Sequence, residues 1–323
     1  MNNAENTAPA VWIISDGKIG DDVQCRAVAE RLSSTFKQRI VAPRAPWVWA
    51  APWGPIDPRD APANPSSPIG PPFPDVVIAS GRRAIPYARA VKRASGGRTL
   101  VVFLKNPRAA FSDGDVIWAP AHDRLEGANV FSTLTSPHGL GPRLEEAKGA
   151  PAPEIAALGK PMLGVVLGGT GGGARYDRSV AVDLAVKVKS AAAFFASVAV
   201  TPSRRTPDYL LSAVREALTG CNAFVWDGAG DNPYIDILAR ADALVVTADS
   251  HNMMSEALAT GAGVYAYRPP QLAPKLSWFL NELESKGTVR PFTGEAQAFS
   301  TEPVNATDEI VNDIRRRLAL VKK

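Results

Sequence analysis

Two apolar runs, each followed at once by a glycine-bearing turn and then a helical pattern, constrain this chain more than any other feature. The first is Val11-Trp-Ile-Ile14, continued by Ser15-Asp16-Gly17-Lys18-Ile19-Gly20 and a helical stretch from about Asp21 to Phe36. The second is Met162-Leu-Gly-Val-Val-Leu167, continued by Gly168-Gly169-Thr170-Gly171-Gly172-Gly173 and a helical stretch from about Arg178 to Ala193. Strand, glycine turn and helix in that order open a Rossmann-like domain. Their recurrence half a chain later predicts two such domains.

Further strands are expected at 75–79, 99–104, 116–118 and around 130, then at 197–200, 223–226, 243–246 and 263–267, with helices between them. This alternation argues for parallel sheets covered on both faces. The expected fold class is α/β, with two Rossmann-like domains facing each other across a cleft. Their expected limits are 1–150 and 151–305. The segment 306–323 is expected to be a helix packing back toward the first domain, with Ile310, Ile314, Leu318 and Val321 on one face. Residues 43–74 break the pattern, because they hold eleven prolines along with Trp47, Trp49 and Trp53. Proline can neither donate to a strand ladder nor continue a helix, so this is read as a long loop, functional or disordered.

Composition narrows the function classes. A formal net charge of +4 with scattered basic residues does not make a nucleic-acid arm. It does suit an anionic partner such as a sugar nucleotide or an acidic bilayer. Two cysteines and three histidines without CxxC, HExxH or EF-hand spacing predict no metal site. The polar N-terminus has no basic n-region, and no apolar run is long enough to span a bilayer. A cytoplasmic protein is expected, with a peripheral place on the inner face of the membrane.

Five motifs carry candidate chemistry. The loop Gly168–Gly173 lets backbone approach a phosphate, which points to Gly169 and Thr170. It lacks the dinucleotide fingerprint, because the next strand ends Val198-Ala-Val-Thr-Pro202 with no carboxylate for a ribose. The segment Ala243–Gly261 reads as a strand, a polar turn and a helix. Ser250, Asn252 and Met253 lie at the start of that helix, where amides favour a diphosphate, and Glu256 follows one turn later to meet ribose hydroxyls. Complementing the helix dipole is the simpler role for Glu256. Trp226–Tyr234 lies past a strand end, where Asp227 and Asn232 could read a base or could merely form a turn and a cap. Arg204 and Arg205 in Ser203-Arg-Arg-Thr-Pro207 suit phosphate oxygens. In the first domain, Asp16 is a candidate general base, with helix capping as its alternative role. His122 and Asp123 are its rivals. Lys18, Gln24, Arg82 and Arg108 are placed on the acceptor side.

Taken together, Asp16-Gly-Lys-x-Gly…Gln24, Ser203-Arg-Arg-Thr-Pro207, Asn232-Pro-Tyr234 and Thr247-Ala-Asp-Ser250…Met254-Ser-Glu256-Ala…Thr260-Gly261 resemble the "elongated mitochondria" fission-factor family of glycosyltransferase-like proteins, over nearly the whole chain. The last motif is also similar to the donor segment of lipid-II-type N-acetylglucosaminyltransferases of fold class GT-B. The glutamate of that segment binds the donor ribose, and Glu256 is the residue that matches. Where the family commonly carries a histidine after the second glycine of the first motif, this chain carries Asp21.

The resemblance implies a metal-independent GT-B glycosyltransferase. It would need no cofactor and take a nucleotide sugar (a UDP-sugar favoured); a lipid-linked or cell-envelope acceptor is expected from the tryptophans of the 43–74 loop and the basic C-terminal helix, which suit a bilayer interface, with packing of those tryptophans on the first domain as the favoured alternative. Two alternatives stand beside it. One is a catalytically silent adaptor of the same fold, tied to fission or a membrane. The other is a nucleotide-sugar epimerase, which would need acid–base carboxylates and histidines that this chain offers sparingly.

Overall fold

The computed structural model describes residues 8–321, apart from the side chains of residues 19 and 20. The first seven residues, part of the stretch read above for a targeting signal, lie outside the described residues, as do the last two. The chain divides into two compact units. One comprises residues up to Gly139 together with the segment from Asn305 onward, and the other is Leu140–Val304.

The first unit contains β1 (Val11–Ser15), α1 (Ile19–Leu32), β2 (Phe36–Ile40), a short α2 (Trp47–Ala50), β3 (Val76–Ala79), α3 (Ala84–Ala94), β4 (Leu100–Leu104), β5 (Val116–Pro120) and β6 (Val130–Thr133). Its six strands are all parallel, in the order β2-β1-β3-β4-β5-β6. Successive side chains along a strand point to opposite faces, so each apolar run builds two cores. Val11, Ile13, Val76, Ile78, Val102 and Trp118 pack on one face, under α1. Trp12, Ile14, Val77, Val101, Phe103 and Ile117 pack on the other, under α3.

The proline-rich segment is ordered. It covers the α3 side of the sheet, where the crossover from β2 to β3 would ordinarily supply a helix. Ile69 is fully buried there, and Ile56 and Phe73 pack around it. The first helix is shorter than its sequence suggests. It ends at Leu32, and Phe36 to Ile40 form a half-exposed edge strand.

The second unit contains α4 (Gly141–Gly149), a short α5 (Pro153–Ala156), β7 (Met162–Leu167), α6 (Arg178–Ala192), β8 (Ser197–Pro202), α7 (Asp208–Ala217), β9 (Ala223–Val225), α8 (Tyr234–Arg240), β10 (Ala243–Thr247), α9 (His251–Leu258), β11 (Gly263–Tyr267), α10 (Pro274–Ser285) and β12 (Val289–Pro291). These six strands are also parallel, in the order β12-β11-β10-β7-β8-β9. The helix α6 starts where Asp177 accepts from the Val180 N–H at 3.0 Å, and it buries Leu184 and Val188 against Leu163, Val165 and Val200. The unit begins ahead of residue 151, because α4 packs on α8 and belongs with it.

The last helix, α11 (Ala306–Val321), belongs to the first unit and packs on α1. Ile310, Val311, Ile314 and Leu318 are buried in the α1-side core. Val321, expected on that face, ends the helix and is 42% exposed. The start of α11 is pinned by Thr307, whose hydroxyl accepts from the His138 N–H (2.9 Å) and donates to its carbonyl (3.0 Å). The basic residues of α11 are turned to internal use. Arg316 and Arg317 pair with the buried Asp313, and Arg315 donates to the Arg31 carbonyl.

Candidate functional site

In a parallel sheet every strand ends on one edge, and ligands collect there at the point where strand order reverses. In the second unit the reversal falls between β7 and β10, the two strands that carry the glycine loop and the Thr247–Ser250 turn. The two segments meet around Asp249, whose side chain is wholly buried. Its carboxylate accepts from the Gly169 N–H (3.0 Å), the Tyr176 hydroxyl (3.0 Å), the Thr247 hydroxyl (2.9 Å) and the Arg205 guanidinium (3.1 Å). Thr247 in turn accepts from the Gly168 N–H at 2.6 Å.

The glycines are there to admit these groups. A Cβ on Gly168 would lie 2.0 Å from Asp249 Oδ1, and one on Gly171 would lie 1.8 Å from Arg205 Nη1. The sequence reading gave the loop amides to a ligand phosphate. The structure gives those of Gly168 and Gly169 to the chain's own Thr247 and Asp249. Thr170 sits exposed at the loop's tip.

The Ser203–Thr206 turn clasps the end of β7. The Thr206 hydroxyl is 2.9 Å and 2.6 Å from the carbonyl oxygens of Leu167 and Gly168, and the Ser203 N–H donates to the Leu167 carbonyl at 2.8 Å. This clasp sets Arg205 on Asp249 and leaves the Arg204 side chain in solvent. Ser250 caps α9 by accepting from the Met253 N–H at 3.3 Å, with Asn252 exposed and Met253 half-buried in the first turn.

Glu256, one turn along α9, is half-buried and accepts from the Tyr234 hydroxyl at 2.5 Å. Burial pushes its carboxyl above the ordinary range, against the opposing pull of Tyr234 and of the Arg143 charge. Tyr234 is itself held far up, first by burial and then by the Glu256 carboxylate. Asn232 forms a local turn just ahead of α8, whose N-cap is Pro233. Its Oδ1 accepts from the Tyr234 N–H (2.9 Å) and pairs with the Thr201 hydroxyl (3.2 Å). Asp227 accepts from the Ala229 N–H at 2.9 Å in an exposed turn. Beside that turn lies a cavity of about 600 Å³ lined by Trp226, Asp227, Asp231, Pro233 and Glu154. A smaller cavity of about 350 Å³ lies at the opposite edge of the sheet, around Asp242, Gly261 and Phe299.

In the first unit the reversal falls between β1 and β3. Asp16 follows β1, and its side chain is 2% exposed. One carboxylate oxygen is 3.3 Å from Lys18 Nζ, and the other has no hydrogen-bond partner among the described residues. Gly81, after β3, leaves the space beside it: a Cβ there would lie 3.4 Å from Asp16 Oδ1 and 3.6 Å from Asp21 Oδ2. Asp21 is paired with Lys105 at 2.7 Å, a residue that ends β4 in the left-handed region at φ 76°.

Asp16, Lys18, Asp21 and Lys105 are thus brought to one edge. Gln24 is buried within α1. His122 and Asp123 follow β5, with the imidazole buried and its Nε2 3.6 Å from the carboxylate. Arg82 donates to the Val48 carbonyl at 3.0 Å, and Arg108 is exposed. No group of three His, Cys, Asp or Glu among the described residues is arranged to hold a metal ion.

The family pattern described as Mitochondrial fission ELM1 matches residues 19–318. The chain belongs to this family. Among its relatives, the Mitochondrial fission protein ELM1 of Arabidopsis thaliana is 31% identical over 274 residues, 76% of this chain and 64% of that protein. An uncharacterized protein of Rickettsia prowazekii is 30% identical over 176 residues, 50% of this chain and 48% of that one. The matched region therefore covers less than two thirds of either relative.

Solved structures add the fold. The UDP-GlcNAc 2-epimerase of Methanocaldococcus jannaschii matches with 12% identity, 95% of this chain, 99% of that chain and a TM-score of 0.52. The UDP-GlcNAc 2-epimerase of Neisseria meningitidis, bound to UDP-GlcNAc, matches with 10% identity, 95% and 90% coverage and 0.52. A UGT transferase of Siraitia grosvenorii in complex with UDP matches with 10% identity, 97% and 93% coverage and 0.50. At these identities the likeness is one of fold, the GT-B type that glycosyltransferases and epimerases share.

Within this member of the ELM1 family, sequence reasoning missed Asp249, Tyr176, Tyr234 and Arg143 as parts of the site. Asp249 stood in the quoted Thr247–Ser250 motif but was given no role of its own. A carboxylate just past the strand at the order reversal, facing a run of glycines, is the signal that marks it. For Arg143, whose charge acts on Glu256 from α4, the sequence carries no signal.

Proposed function

We propose that the chain is a glycosyltransferase that moves a sugar from a nucleotide-sugar donor, a UDP-sugar by preference, to a hydroxyl of a lipid-linked or cell-envelope acceptor. One observation carries this reading. Arg205, the capped N-terminus of α9 and the half-buried Glu256 gather at the carboxyl edge of the second sheet, where its strand order reverses. That edge offers a diphosphate the exposed Arg204, the half-exposed Arg205 that Asp249 holds in place and the helix dipole, with a carboxylate one turn away for the hydroxyls of a ribose. The UDP and UDP-GlcNAc held by fold neighbours support the choice of base.

In this reading the bond between the anomeric carbon and the diphosphate breaks while the acceptor oxygen bonds to that carbon. Arg205, Arg204 and the α9 amides stabilise the departing charge, so the reading calls for no cofactor. Asp16 takes the acceptor proton, a role suited to a buried carboxylate with one oxygen left open. A UDP titration by calorimetry tests the donor half. The reading expects the chain to bind UDP and Glu256→Ala to lose roughly tenfold or more in affinity, about 1.4 kcal/mol. An unchanged affinity in the variant, or no nucleotide binding by the wild type, removes it.

A second reading, a binding module without turnover, is favoured by one observation: Asp249 and Thr247 already occupy glycine-loop amides that a donor would use. The fission role printed for the plant relative agrees with it. Release of sugar or UDP from a bound UDP-sugar excludes this reading, and binding without any release favours it.

A further inference from the structure

We propose that the proline-rich segment of the first unit is a membrane-docking platform, in which Trp49 and Trp53 enter the headgroup layer of an anionic bilayer. The proposal deepens the acceptor side of the function above and rests on it only in assigning the platform a lipid-borne acceptor.

Trp12 and Trp118 are buried, as large aromatics in a folded domain usually are, whereas Trp49 is 72% and Trp53 69% exposed. Looseness of the segment does not account for this. Arg44 grips Asp57 through two 2.8 Å bonds, Tyr87 donates to Asp60 at 2.5 Å, and Ile69 is fully buried. The backbone beside the indoles is itself clamped. Arg82 donates to the Val48 carbonyl at 3.0 Å, and Arg89 donates to the carbonyls of Trp53 (3.0 Å) and Gly54 (2.6 Å). A segment held at that many points presents its two rings outward as part of the fold.

Charge selects the occupant. Arg44 and Arg59 share the buried Asp57, at 2.8 and 3.7 Å, and so keep one net positive charge between them, with side chains 47% and 59% exposed, and Arg82 and Arg83 in the turn after β3 are exposed as well. The acidic groups of the same surface are turned inward. Asp57 is buried, Asp60 is taken by Tyr87, and Asp113 is taken by Arg89. The region therefore shows two exposed indoles and a surplus of positive charge. An indole has an apolar body and one N–H donor, which suits the headgroup depth, and the arginines match anionic lipids. The surplus of positive charge favours an anionic bilayer; a protein partner, which exposed tryptophan and arginine would also serve, is the outcome if vesicles leave the chain in solution. The Val48 clamp comes from Arg82 in the turn after β3, so the platform adjoins the sheet edge that carries Asp16.

The test is co-sedimentation with vesicles of phosphatidylcholine plus phosphatidylglycerol, with pure phosphatidylcholine as the comparison. The wild-type chain is expected to pellet with the anionic vesicles, to pellet less as salt rises, and to show a blue shift of tryptophan emission. The Trp49→Ala, Trp53→Ala double variant is expected to lose roughly tenfold or more of that affinity. Both side chains are exposed, so the double variant keeps its thermal stability and its response to UDP. Wild type that stays in the supernatant, or a double variant that pellets like wild type, overturns the proposal. So does wild type that self-associates without lipid and loses this in the double variant, since the rings then meet a second copy. Vesicle binding by a chain that binds no UDP leaves the docking standing and removes the transferase reading instead.

Discussion

Replacing Asp249 with alanine is expected to cost the second unit about 3–5 kcal/mol of stability. The carboxylate is wholly buried and serves four donors. Its removal strands the Gly169 N–H and the buried Tyr176 hydroxyl, and each abandoned buried donor costs about 1–3 kcal/mol. The Thr247 hydroxyl keeps its bond from Gly168 and loses less. The Arg205 side chain is 44% exposed and returns its charge to water, so it adds little to the total. The sum sits at the level found when one partner of a buried pair is removed, about 3–5 kcal/mol.

Asp249→Asn should cost less, because its one remaining oxygen can serve either the Gly169 side or the Tyr176 side. Gly168→Ala should cost a similar amount to Asp249→Ala, because its Cβ would lie 2.0 Å from the carboxylate oxygen. In an Asp249→Ala background that conflict is gone, so the two changes should be non-additive by about 1–3 kcal/mol. Urea denaturation followed by circular dichroism measures all four proteins. A loss under about 1 kcal/mol for Asp249→Ala, or strict additivity with Gly168→Ala, refutes the idea that the glycine loop is built around this carboxylate.

Two further outcomes are expected. Burial raises the Glu256 carboxyl, so the folded chain keeps that proton over a range in which the unfolded chain has lost it. Stability should therefore fall as pH rises from the ordinary value of 4.5 through the raised one, and Glu256→Gln should remove this slope in denaturation measured across pH. Ile314→Ala should cost about 2–5 kcal/mol and destabilise the first unit rather than the second, as hydrogen exchange of β1 and β7 peptides would read, because Ile314 lies in the core beneath α1.

The elements that sequence exposed are those whose physics is local. β1 and β7 are buried on both faces, so their continuous apolar runs stand out, and the turns after them need glycine. Edge elements were harder to read. Phe36 to Ile40 has no fully buried residue and reads as the tail of α1, while β12 is three residues long. The proline-rich segment was recognisable as irregular, but its service as a cover depends on where Ile69 lands in space.

The site divides in the same way. Ser250 and Glu256 follow from helix start rules and spacing. Asp249 with Arg205, or Tyr234 with Glu256, are pairs that only the sheet order joins. The glycine loop was legible as a place of close approach, and what approaches it is a side chain forty-four residues beyond Arg205 in the sequence.

A crystal structure of the chain soaked with UDP would show whether a nucleoside diphosphate sits at the start of α9. Diphosphate density is expected within hydrogen-bond reach of Ser250 and Arg205, with the ribose hydroxyls on Glu256. Density in the cavity around Asp242 and Phe299 instead, or a diphosphate remote from α9 with Glu256 still bound only to Tyr234, would contradict it.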